Sequence, residues 1–252
     1  MKPKKLKLYN EFAKYLRFTY SVKDYAGEVE FIIKMLRKHK VRPKLIYDVA
    51  CGFGPHAKLL MKRGYNVIGV DYNDGMIREA KKNVPMLRVY KQDMRKLKMK
   101  RKADCIITMF NAINHLQSYT DFEMMLRSYN KNLNKGGLII FDTMFDQKNW
   151  LKEYYVAKSV KQGDVVVGRV DRSYKTDRNH GFVQQTFVVY ESSFAKPKIF
   201  TSSYTNFIYD IARMKQVINK LRFKLRIYYN FSNTAKYSKN CYYVFVLQKV
   251  ND

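Results

Sequence analysis

An α/β fold with a doubly wound, mainly parallel sheet is predicted by three observations. Short, nearly all-apolar runs alternate with amphipathic helical patterns through roughly the first 150 residues. The first run, KLIYDVA, breaks into a glycine-bearing loop, CGFG, and resumes as the helical pattern AKLLMKRG. A second apolar run, NVIGVD, closes on an acid, Asp71, 23 residues after Asp48. Strand, glycine loop and helix in that order form the opening unit of a nucleotide-binding sheet. Gly52 and Gly54 let backbone and ligand approach closely, because neither carries a Cβ. A carboxylate ending the second strand can accept both hydroxyls of a ribose.

The elements follow in order. Amphipathic spacing predicts helices over 8–18 and 24–39, ahead of a first strand at 44–49. Helix 55–63, strand 66–70, helix 74–83, strand 86–90 and strand 103–109 come next. Thr120 and Glu123 have the spacing of a capping box for a helix reaching about 132. LNKGGLIIFD then supplies a Gly-Gly helix stop and a strand at 137–142. From 151 to 208 the composition changes to Val, Tyr, Phe and Thr with partial period-two alternation. Asp177, Asn179, Gly181 and Pro197 break this stretch into antiparallel strands, an inserted β-subdomain. Helix 209–221 and strands 222–230 and 241–249 complete a seven-stranded sheet. The expected organisation is a helical segment over 1–40, a sheet domain over 41–150 and 209–252, and the insert between.

Composition narrows the function. At 252 residues with 46% hydrophobic content, one elaborated α/β domain is the expected size. No window approaches the ~18 uninterrupted apolar residues of a membrane span, and the basic N-terminus lacks the apolar stretch of a signal peptide. Three cysteines, Cys51, Cys105 and Cys241, have no paired spacing, which predicts reduced core thiols and a cytoplasmic protein. No His/Cys cluster predicts a metal. Forty-nine Lys and Arg against 21 acids give a net charge of +28, which admits a nucleic-acid partner or a proteome-wide lysine habit. The basic residues are spread along the chain, and the densest run, KQDMRKLKMKRK over 91–102, leads into a strand. Most of that run is expected at the strand's N-terminal edge, away from a ligand at the carboxyl ends.

Gly52, Gly54 and Ala57 satisfy a dinucleotide-type G-x-G-x-x-A pattern. Three features point elsewhere. Asp48 lies in the strand behind the loop, where its charge would repel a pyrophosphate. Asp93 ends the next unit, in YKQDMRKL, where it could accept from an adenine amino group. More than 40 residues also precede the first strand. A cationic sulfonium suits these carboxylates better than a phosphate does.

The motifs DVACGFG, VIGVDYNDGMI, YKQDM, DCIITMFNAINHL and LNKGGLIIFD occur in this order. Over almost its full length the chain resembles the class I S-adenosylmethionine-dependent methyltransferases. More narrowly, VACGxGxH, QDM and MFxxxxHL resemble nucleotide-amino-sugar N,N-dimethyltransferases and their small-molecule relatives. YSVKDYAGEVEFI is similar to an N-terminal portion of those enzymes that closes over the cofactor. The resemblance implies a Rossmann-like seven-stranded sheet with an antiparallel last strand. It also implies methyl transfer from S-adenosyl-L-methionine to a small molecule, at an amine nitrogen, leaving S-adenosyl-L-homocysteine.

By the same resemblance Asp48 orients the loop near the methionine amine, and Ala50, Gly52 and Gly54 pass along the methionine and ribose. Ala50 stands where glycine is commoner. Asp71 takes the ribose hydroxyls, Tyr72 and Met76 lie at the adenine end, and Asp93 and Met94 hold the adenine edge and face. Met109, Phe110 and Asn111 line the transfer centre, Tyr25 comes from the N-terminal lid, and His115 aligns with an active-site histidine. As packing residues, Asn111, Asn114, His115, His56, Tyr20 and Tyr25 have structural readings as well. An RNA methyltransferase is the alternative raised by the charge, but MFNAINHL lacks the [DN]-P-P-[YF] motif that holds an extruded base. No Pro-Cys pair serves a covalent C5 mechanism either. A cofactor-binding protein without catalysis is the third reading.

Overall fold

The computed structural model describes residues 4–5, 7–21, 23–144, 146–147, 150, 153–238 and 241–250. The expected start of the insert at 151 and the chain's last two residues lie outside them. In chain order the elements are β1 (Lys4–Lys5), α1 (Ala13–Thr19), α2 (Tyr25–Lys38), β2 (Ile46–Val49), α3 (Pro55–Lys62) and β3 (Val67–Asp71). Next come α4 (Asp74–Asn83), β4 (Arg88–Lys91), β5 (Ala103–Thr108), α5 (Tyr119–Lys131) and β6 (Leu133–Thr143). The strands β7 (Glu153–Gln162), β8 (Val165–Lys175), β9 (His180–Tyr190) and β10 (Lys198–Phe207) follow, then α6 (Ile211–Lys220), β11 (Phe223–Tyr229) and β12 (Tyr243–Lys249).

The main sheet has the order β11-β12-β6-β5-β2-β3-β4. Strands β2 to β6 run parallel, and β12 is antiparallel to both neighbours, so the expected doubly wound sheet with an antiparallel last strand is what forms. The order reverses between β2 and β5, and that reversal opens a crevice outside their carboxyl ends. Both faces are covered. Alternate residues of one strand feed opposite cores: Tyr47 and Ile106 join the α5 and α6 side, while Ile46 and Ile107 join the α2 and α3 side. Phe141 and Phe245, opposite each other on β6 and β12, stack at 4.9 Å.

A second sheet, β1-β10-β9-β8-β7, stands over the crevice. β7 to β10 form its antiparallel meander, and the N-terminal β1 adds in parallel to β10. Leu16 and Phe12 close one end of this sheet, with Phe12 4.1 Å from Phe187. The segment before α1 also crosses the start of α4, where Asn10 accepts from Gly75 N at 3.1 Å. A Cβ on Gly75 would fall 2.3 Å from the Asn10 carbonyl oxygen, so only glycine admits this crossing.

Several local expectations are corrected. The N-cap of α5 is Ser118, which accepts from Asp121 N at 3.0 Å, and not Thr120; Glu123 instead pairs with Arg127 one turn on. The Gly-Gly pair does not stop a helix. Helix α5 is already capped by Asn132, and Gly136 and Gly137 sit in an irregular stretch of β6 that bulges between the pairs Ala103–Leu133 and Cys105–Leu138. A Cβ on Gly137 would stand 2.8 Å from the Asp104 carbonyl. Gly181 belongs to β9 and faces the Trp150 ring, while Gly163, at φ +60°, turns β7 into β8. The first predicted helix begins at Ala13, five residues late. All three cysteines are buried and free.

Candidate active site

A cavity of about 900 Å³ fills the crevice, floored by the loops after β2, β3, β4 and β5 and roofed by the second sheet. The floor begins with the loop after β2. Ala50 adopts φ +59° and Gly52 φ +57°. Ala50 thus holds a left-handed conformation that costs a residue with a Cβ about 1–2 kcal/mol. Around Gly52 the space is open: a Cβ there would meet only Met76 Sδ, at 3.9 Å. Gly54, at φ +79°, is required for a different reason, since its Cβ would press on Val84 at 3.2 Å and Leu87 at 3.3 Å. Gly54 therefore packs the loop onto the chain beyond α4 and does not line the cavity.

Two acids address the loop from below. Asp71, at the end of β3, accepts from Gly52 N at 2.9 Å and from Asn73 N at 2.8 Å. Burial raises its pKa, and those amides oppose the rise. Asp48 is buried behind the loop, with Oδ2 unpartnered. Desolvation pushes its pKa up to about 6, against the pull of His56 and the Ala57 amide. Exposed Tyr72 and buried Met76 flank this end of the cavity, with Met94 opposite.

Asp93 is already engaged. Arg95 donates to it from its backbone N at 2.9 Å and its Nη2 at 2.6 Å, and the guanidinium reaches on to Asp121 at 2.8 Å. The Arg95 side chain holds the Asp93 carboxyl below the usual carboxylate range. Gln92 to Arg95 thus line the cavity, so the basic run begins at the site. The chain turns away only after that point.

The wall after β5 is strained. Phe110 and Asn111 take φ +64° and +58° in succession. Asn111 N donates to Asp142 at 3.2 Å, and Asn111 Oδ1 accepts from Met144 N at 2.6 Å. Asn111 reaches the cavity, but its amide oxygen is committed to holding this turn. Asn114 is fully buried, donating to the Phe207 carbonyl at 2.8 Å, and acts as a packing residue. Asp142 is buried with Oδ2 unpartnered, and desolvation raises its pKa to about 7.

His115 closes the wall. Its Nε2 lies 3.0 Å from the Tyr9 hydroxyl, and Tyr204 packs against the ring at 5.3 Å. The imidazole is reachable from the cavity, yet the protein around it withholds bulk water and holds its pKa down to about 4.

The N-terminal segment supplies a cluster that sequence reading missed. Lys23 and His56 both pair with buried Glu28, the latter at 2.7 Å. Burial pushes the Glu28 carboxyl up, but His56 and Lys23 more than reverse it. Lys23 Nζ also stands 4.5 Å from the centre of the Phe110 ring. Tyr25 packs edge-on against His56, and its hydroxyl is buried without a partner. Lys23 lies inside the YSVKDY motif, which was the available signal. Tyr9 carried none, because its partner His115 lies 106 positions away.

A switch-point crevice with a left-handed glycine loop, a strand-end carboxylate and a second sheet as roof defines a ligand site of the kind that doubly wound sheets carry. Residues 46–137 match the model of the methyltransferase domain family. The chain is 25% identical over 153 residues to the dTDP-3-amino-3,4,6-trideoxy-alpha-D-glucopyranose N,N-dimethyltransferase of Streptomyces venezuelae, a match covering 61% of this chain and 65% of that protein. To the glycine/sarcosine N-methyltransferase of Parasynechococcus marenigrum it is 29% identical over 143 residues, covering 54% and 49%. The matches thus span less than two thirds of these relatives' length. In fold, the chain superposes on Streptomyces venezuelae DesVI with a TM-score of 0.82 at 19% identity, covering 95% of this chain and 98% of that one. The sugar N-methyltransferase KedS8 from Streptoalloteichus gives 0.82 at 16% identity, covering 94% and 93%. At these identities the likeness is one of fold.

Proposed function

We infer that the protein is an S-adenosylmethionine-dependent methyltransferase acting on a small-molecule amine, with an amino sugar as the favoured acceptor class. The observation that carries this reading is that the Ala50–Gly52 loop with Asp71, and the Phe110–His115 wall, open into one roofed cavity. The printed activities of the relatives, dimethylation of dTDP-amino sugars and methylation of glycine and sarcosine, supply the choice of amine nitrogen.

The residues fit the cofactor. Asp71 would take ribose hydroxyls, and the missing Cβ of Gly52 leaves room for close approach. Tyr72, Met76, Asp93 and Met94 surround the end suited to adenine, while Ala50, Met109, Phe110 and the unpartnered Tyr25 hydroxyl surround the other end. Asp48 would support the loop from behind. Bound S-adenosyl-L-methionine supplies a methyl group on a sulfonium, already activated for in-line displacement. The chain's own task is to align the amine and exclude water, which the second sheet does by roofing the cavity.

His115 orients the amine in this reading. With its pKa lowered to about 4, the His115 imidazole is a poor acceptor for the proton of an ammonium of pKa about 8. An unprotonated amine instead meets a neutral His115, fixed by Tyr9. No helix among the described residues is long and apolar enough to cross a membrane.

The test offers labelled S-adenosyl-L-methionine with total RNA and, separately, a metabolite extract. Label is expected in small amines. Labelled RNA with a steep salt dependence would overturn the reading in favour of the one raised by the +28 charge.

A further inference from the structure

The roof carries a polar row that the cofactor end of the cavity does not use. Period-two alternation along β8 turns Arg169, Asp171 and Ser173 toward the cavity. Beside them, Gln185 on β9 pairs in register with Asp171. The same face carries Val167, Phe187 and Val189, which pack under Phe12 and Leu16. Half of one sheet face is thus an ordinary apolar core, and the other half buries an arginine, an acid and an amide. Burying such groups is costly unless each polar atom is matched.

Here the matching is incomplete. Arg169 Nη2 donates to one oxygen of Asp171, and Gln185 Nε2 donates to the other at 3.0 Å. Because a carboxylate only accepts, this fixes the Gln185 amide with its oxygen free. Arg169 Nε and Nη1 and Gln185 Oε1 are buried without partners. Donors and an acceptor therefore flank one carboxylate in the cavity wall.

The geometry points to a specificity site in which Arg169 and Gln185 read a hydroxyl on the ring of the amine acceptor. A hydroxyl accepts and donates at once, so it satisfies both kinds of orphan. An oxyanion would suit Arg169 alone, would leave Gln185 Oε1 facing negative charge, and would meet a guanidinium already paired with Asp171. The hydroxyl sits near the reacting amine, since Arg169 lies over the Tyr20 ring at 5.8 Å and Tyr20 packs edge-on against Phe110 at 4.9 Å. This inference rests on the amine-methyltransferase reading.

The test uses two ring amines, methyl 3-amino-3-deoxyglucopyranoside and its 2,4-dideoxy counterpart, titrated into S-adenosylhomocysteine-loaded protein. Methyl transfer to each is measured separately with labelled S-adenosyl-L-methionine. The hydroxylated amine is expected to bind about tenfold to a hundredfold more tightly. Gln185→Leu, which leaves the Arg169–Asp171 pair intact, and Arg169→Lys should each shrink that preference to about threefold or less. Their S-adenosylhomocysteine affinity should stay as in the parent. Equal binding of the two amines by the parent overturns the site, as does a preference that survives both substitutions. Selective binding with no methyl transfer leaves the site standing and sinks the amine-methyltransferase reading alone.

Discussion

The Tyr9 hydroxyl and His115 Nε2 lie 3.0 Å apart across 106 positions of chain, so the N-terminal segment completes the wall that begins after β5. The contact orients an imidazole that opens to the cavity and whose pKa the surrounding protein lowers to about 4. His115→Ala should therefore lower turnover by about tenfold to a hundredfold, the effect of lost orientation and not of a lost base. Affinity for S-adenosylhomocysteine, read by calorimetry, should be unchanged. An equal loss in both would refute placement of His115 on the acceptor side.

The sheet, the glycine loop and Asp71 were legible because each is local. A strand, its turn and the acid at its end are neighbours in sequence, and backbone geometry carries them to one crevice. What was not legible depends on which face meets which. EYYVAKSVKQ forms β7, but its cavity face carries Lys158 beside Tyr154 and Val156 while its outer face carries Tyr155, so its alternation is faint. The roles of Tyr9, Glu28 and Arg169 appear only when layers stack. The Gly-Gly pair misled because a sharp bend in β6 and a helix stop need the same residue.

Asp71 should govern cofactor affinity. The Gly52 and Asn73 amides donate to different oxygens of Asp71, so Asp71→Asn keeps an acceptor for only one of them and loses the charge. Hydrogen bonds to a charged partner contribute about 1.5–3 kcal/mol, so S-adenosylhomocysteine should bind about tenfold to a hundredfold more weakly. An unchanged dissociation constant would remove Asp71 from the ribose role.

Gly75 should control the N-terminal segment without touching the core. A Cβ there would meet the Asn10 Cα at 2.4 Å, so Gly75→Ala must push that segment off α4. With it goes the Tyr9 contact to His115. Turnover should fall, and limited proteolysis should cut ahead of α1 sooner than in the parent. Unaltered turnover and protection would show that the crossing at Asn10 is dispensable.

Stability should fall as pH rises, against the usual behaviour of carboxylates. Asp142 is buried without a cationic partner within hydrogen-bond reach, and its pKa stands near 7 when folded, against 3.8 ordinarily. The folded state therefore holds its proton more tightly than the unfolded chain does. That contribution is complete below pH about 4 and disappears as pH rises through 7. Asp48, near 6, acts in the same sense but has nearly finished titrating by pH 6.5. His115, depressed to about 4, acts oppositely, adding stability as pH rises from about 4 to 6.5. The window in which Asp142 carries most of the change from these three groups is thus pH 6.5 to 8. Over that window Asp142 should cost about 1 kcal/mol, a fall of roughly 2–4 °C in melting temperature. Asp142→Asn should flatten the slope and raise the melting temperature at pH 8. A slope that persists in Asp142→Asn would show that another group titrates there.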